Sequence, residues 1–95
     1  MPAGGVAIGM LEDQGDSREA VAARLQRVRD ILGLNKREFA ASIGVTEQTY
    51  NPFETGKRDL SLTAAKLIRK RYGVSLEFLY FGNKNDLPHR IAKEL

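Results

Sequence analysis

Ninety-five residues with a formal net charge of +3 make one small, basic domain near the lower size limit for burying an adequate core without staples. The absence of cysteine excludes disulfides and thiolate metal sites. No apolar run approaches the ~18 residues of a membrane span, and no basic region leads an apolar core as in a secretion signal.

The charge is unevenly spread. Residues 1–16 hold Glu12, Asp13 and Asp16 and no Lys or Arg, so residues 17–95 carry a net +6. Glycine-rich and without a sustained period, the stretch 1–16 reads as a flexible acidic tail. Its charge makes it a poor arm for the minor groove of DNA. Asp16 or Ser17 then caps a first helix, with Glu19 near enough to complete a capping box. Val21, Leu25, Val28 and Leu32 step by four, three and four, a buried helical stripe, and Gly33 ends it.

Asn35 with Glu38 three residues on predicts a capping box that starts a second helix at Lys36. Phe39, Ala40 and Ile43 give it a narrow apolar face. Gly44 follows, and glycine alone takes a left-handed helix-ending conformation without penalty. Val45 is suited to plugging the gap between two helices. Thr46 is the next cap, and Glu47, Gln48 and Thr49 occupy the first turn of a third helix. There Tyr50 and Phe53 face inward. Glu47, Gln48 and Asn51 face outward, and the two amides among them match base edges. Gly56-Lys57-Arg58 closes the unit with two cations where a phosphate backbone would pass. For Lys66, Arg69, Lys70 and Arg71, phosphate contact and simple solvation of a helix face are equally open readings. Two short helices, a glycine turn and a polar second helix are how a helix-turn-helix reads in sequence.

Ser61 caps a fourth helix with Ala64, Ala65, Ile68 and Tyr72 inward, ending at Gly73. Ser75 caps a fifth, with Phe78 and Leu79 in the core. In the tail, Leu87, Ile91 and Leu95 are spaced by four, Pro88 suits a first turn capped by Asp86, and about nine residues cannot hold a helix alone in water. This tail therefore docks, either on the fifth helix of its own chain or on a second copy.

The stretch Leu34–Lys57 resembles the phage-repressor (Cro/XRE-type) helix-turn-helix family, aligning without a gap, and roughly 60 of the 95 residues are covered once the flanking helices are included. The resemblance implies an all-α fold, a compact five-helix lambda-repressor-like DNA-binding domain with a short C-terminal helix. Residues 17–82 form that domain, and 83–95 form a C-terminal tail with the short helix. The resemblance implies a sequence-specific regulator that binds double-stranded DNA, with a recognition helix over about 46–54 in the major groove. Gln48, Thr49, Glu47 and Asn51 are the expected base contacts, and Lys36, Arg37, Thr46, Lys57 and Arg58 the phosphate contacts. Arg29 and Glu54 match a charged pair that many relatives bury between the first and third helices. A homodimer on inverted repeats is implied, with Phe81, Leu87, Ile91 and Leu95 as its apolar surface. So is the cytoplasm of a prokaryote, with the gene cellular or phage-encoded.

Pro52 departs from the family pattern, since relatives usually carry a polar or basic residue there. A mid-helix proline removes the bond to the Gln48 carbonyl and clashes with it, so the helix is expected to shorten to about one turn or to bend. It keeps open a second reading, an antitoxin or other protein-interaction module with a protein partner on the same fold. An enzyme is not expected. His89 is the single histidine and has no cysteine or clustered carboxylates near it, and no glycine-rich phosphate loop is present. No cofactor, metal or small-molecule ligand is implied.

Overall fold

The computed structural model describes residues 15–95, and the expected flexible tail lies outside them apart from Gly15 and Asp16. Among the described residues every regular element is a helix. It runs α1 (Arg18–Leu32), α2 (Lys36–Ser42), α3 (Glu47–Glu54), α4 (Leu62–Tyr72), α5 (Leu76–Phe81) and a final turn α6 (His89–Ala92). The first five begin at a side chain that takes over an orphan backbone donor. Ser17 accepts from the Ala20 amide, Asn35 from Glu38, Thr46 from Thr49, Ser61 from Ala64 and Ser75 from Phe78. At α2 the box is complete, because the Glu38 carboxylate accepts in turn from the Asn35 amide at 2.9 Å. At α1 the cap is Ser17, which puts Ala20 rather than Glu19 at the third helical position, so no capping box forms there.

One core receives a face from every helix. Leu25, Val28, Phe39, Tyr50, Ile68, Leu79 and Ile91 are fully buried in it. Burying such side chains contributes roughly 1.5–3 kcal/mol each. α1 packs on α3 and α5, α2 on α3, and α4 on α5. Phe39 sits at the centre of the ring packing, tilted on Tyr50 (centroids 5.1 Å, 58°) and stacked on Tyr72 (5.5 Å, 12°). Leu32 and Tyr72, expected fully inside, sit at the core's margin and are only partly buried. Tyr72 spends its hydroxyl on Ser42, which donates to the Phe39 carbonyl.

The tail departs most from expectation. Asp86 caps nothing, because α6 starts at His89 behind Pro88 and has no side-chain cap. The segment folds back on its own chain. Ile91 is fully buried, Leu87 and Leu95 pack against the same core, and Arg27 donates to the Glu94 carbonyl at 3.0 Å. Pro88 crosses the turn after α4 so closely that a Cβ on Gly73 would meet its Cγ at 3.2 Å. Three of the four apolar residues expected at a dimer surface thus serve the chain's own core, and Phe81 stays half-exposed. An apolar side chain beside a partly open core is buried soonest by the core it is tethered to.

Candidate nucleic-acid interface

The turn between α2 and α3 is compact for a backbone reason. Gly44 has φ +84°, its amide bonds the Ala41 carbonyl at 3.0 Å, and the Val45 amide bonds that of Ala40 at 3.0 Å. Val45 packs against the core and Thr46 then starts α3. Two faces of α3 have opposite fates. Tyr50, Phe53 and Glu54 are buried, whereas Glu47, Gln48 and Thr49 are exposed. Arg37, Glu47, Gln48 and Asn51 line a shallow surface depression on the outward side.

The inner face is anchored by charge as well as by rings. Glu54 is 1% exposed and takes the Arg29 guanidinium through Nη2 (2.6 Å) and Nε (3.0 and 2.9 Å). Arg29 also donates Nη1 to the Leu34 carbonyl at 3.0 Å, which ties α1 to the start of the helix pair. Gln26 caps the same corner by donating to the Glu54 carbonyl at 3.1 Å. The Glu54 bond raises the Arg29 pKa against the opposing effect of burial. Tyr50 lies in the same corner. Burial first, and the Glu54 carboxylate second, push its hydroxyl far above the usual phenol range.

Pro52 neither cuts α3 to one turn nor ends it. The helix continues to Glu54, and the Thr55 amide still reaches the Asn51 carbonyl at 3.0 Å. The carbonyl deprived of a partner belongs to Gln48, on the exposed face, where water can replace the missing amide. Pro52 itself contributes an acceptor: its carbonyl takes the Lys57 amide at 2.9 Å and the Arg58 amide at 3.1 Å, with Gly56 at φ +75° between. This loop presents Lys57 and Arg58 to solvent.

Sequence reasoning missed two arginines that hold the frame. Arg18 braces the basic loop from α1, with Nε 3.0 Å from the Asp59 carboxylate and Nη1 3.4 Å from the Lys57 carbonyl. Arg24 is buried and donates to the Leu79 carbonyl at 3.1 Å and to that of Gly15. Its position between Val21, Leu25 and Val28 was a signal available in sequence, a charge on the apolar stripe. Of the expected contact residues, Arg37, Thr46, Glu47, Gln48, Thr49, Lys57 and Arg58 are exposed. Lys36 and Asn51 are half-buried and bonded to each other, Nζ to Oδ1, at 3.0 Å. Among the described residues no group of His, Asp or Glu side chains is placed to hold a metal, and no helix is long and apolar enough to cross a membrane.

A family model described as "Helix-turn-helix" matches residues 25–79, more than half of the chain. No curated protein matches the chain, and no solved structure does.

Proposed function

The chain belongs to the Cro/C1-type (XRE) helix-turn-helix family, one of DNA-binding, non-enzymatic domains, and we propose that it is a sequence-specific transcriptional regulator. One observation carries the reading. α3 is locked from behind by Tyr50, Phe53 and Glu54, while its first turn and the Lys57-Arg58 loop lie open on the outside. Gln48 makes the main base contact, because a glutamine amide matches the N6/N7 edge of adenine. Thr49, Glu47 and Asn51 contribute beside it. Arg37, Thr46, Lys57 and Arg58 contact phosphates and supply the salt-dependent part of the affinity.

The regulator works in the cytoplasm as a homodimer. A single helix pair covers few base pairs, and two-fold symmetry sets half-sites one turn apart, ~34 Å. It regulates by occupancy of its site. Gel shift with duplexes enriched from a random pool tests this reading. Gln48→Ala is expected to cost ~1–3 kcal/mol and to relax one position per half-site, whereas Lys57→Ala weakens all sequences alike and flattens the salt slope by about one per half-site. Failure of the parent protein to shift any duplex would overturn the reading and turn attention to a protein partner. Sedimentation of the DNA-bound and free protein tests the dimer.

A further inference from the structure

Lys36 opens α2 and sends its ammonium across the turn to Oδ1 of Asn51, 3.0 Å away in a half-buried setting. An ammonium has three donors and no acceptor, whereas an asparagine amide has one end of each kind. Only the oxygen end can therefore face Lys36, since the reversed amide would set donor against donor. The Nδ2 protons are left to the depression that Asn51 shares with Arg37, Glu47 and Gln48. Among the described residues, no acceptor takes them.

This orientation has a consequence in the major groove. Adenine presents a donor, N6, beside an acceptor, N7, so reading it takes both ends of an amide. Guanine presents two acceptors, N7 and O6. A charge-assisted bond holds Oδ1, and the positive charge beside it repels an incoming amine. Resting on the reading of α3 as the base-reading helix, we propose that Lys36 is a positioning residue that commits Asn51 to donate. Asn51 then selects guanine over adenine at the base pair it meets, and Lys36 is not a phosphate contact.

The test is selection of duplexes from a random pool by the full chain and four variants, followed by sequencing. Asn51→Ala marks the position concerned, because preference is lost there alone. The parent and Lys36→Arg, which retains a donor-only head, enrich guanine over adenine at that position on the order of tenfold. Lys36→Met keeps the stem and frees the amide to turn, so the ratio falls toward one while other positions keep their preference. Lys36→Gln, whose amide can meet either end of Asn51, relaxes the same position and serves should the methionine variant not fold. The slope of affinity against salt stays at the parent value in Lys36→Met, whereas loss of a phosphate contact would lower it by about 0.9 per half-site. Parental base preference in both Lys36→Met and Lys36→Gln overturns the inference while leaving the DNA-binding reading intact. So does an Asn51→Ala variant that changes no position. A parent that enriches no sequence overturns both.

Discussion

Glu54 keeps a carboxylate out of water and survives there because Arg29 covers both of its oxygens. Such a pair adds little net stability over an apolar pair of the same size, but removing one partner strands the other charge. Glu54→Ala is therefore expected to lose ~3–5 kcal/mol in denaturant unfolding, with Arg29 left facing an apolar corner. A variant that unfolds at the parental midpoint would show that the pair is inert. Tyr50, in the same corner, links stability to pH. Its folded pKa is raised by burial and by Glu54, and that of Tyr80 is raised by burial and by Asp59. A raised phenol pKa means that above about pH 10 the folded chain holds protons the unfolded chain has released. Stability is then complete below pH 10 and falls as pH rises beyond it. Tyr50→Phe is expected to melt near the parent at pH 7 and to lose less stability between pH 10 and 11, as thermal melts across that range would show.

At the scale of the element, α3 is an eight-residue helix with a proline at its sixth position, which a free helix would not tolerate. It persists because its stability comes from the buried face and from the Thr46 cap rather than from propensity. Pro52→Ala restores the amide donor to the Gln48 carbonyl and leaves the Pro52 carbonyl's role in the basic loop unchanged. A gain of about 1–3 kcal/mol is expected, smaller than the full helix-interior penalty because alanine also loosens the unfolded chain. For a domain of this size each kcal/mol moves the melting temperature by roughly 4–8 °C. An unchanged or lower melting temperature would mean that the Gln48 carbonyl is already fully satisfied. Gly44 matters to the same element in another way. Open space surrounds it, so its restriction comes from φ +84° and not from contact with a neighbour.

For the whole molecule, α6 shows how a segment too short to fold alone becomes part of the core. Its single turn has no side-chain cap, yet Ile91 is as buried as Leu25 in α1. Ile91→Ala is expected to cost ~2–5 kcal/mol by leaving a cavity that the surrounding helices fill only in part. The check is equilibrium unfolding at two protein concentrations. A loss independent of concentration is the expected outcome, and a loss that shrinks at higher concentration would put Ile91 at an interface between chains instead. With the tail committed inward, Leu62 and Phe81 remain as the exposed large hydrophobics among the described residues.

Helix starts, glycine turns and the apolar faces of α1 to α5 were legible in the residues themselves. Each depends on groups at most four positions apart, where backbone geometry leaves little choice. The choice between Asp16 and Ser17 marks the limit of that legibility, because neighbouring polar residues compete for the same role, and the tail helix begins behind Pro88 with no side-chain cap at all. Apart from the Arg29–Glu54 pair, which the family resemblance implied, contacts between groups far apart in the chain needed the folded arrangement. Lys36 meets Asn51 across 15 positions and Arg24 meets Leu79 across 55. A charge on the apolar stripe of α1 marked Arg24 as unusual, but no local rule names its partner, and none distinguishes Lys36 from a lysine that solvates a surface. Whether Ile91 belonged to this chain's core or to a second copy was equally open, since its spacing with Leu87 and Leu95 suits either. Three-dimensional packing resolved it, because Ile91 is fully buried in the core of its own chain and Arg27 of α1 bonds the Glu94 carbonyl beside it.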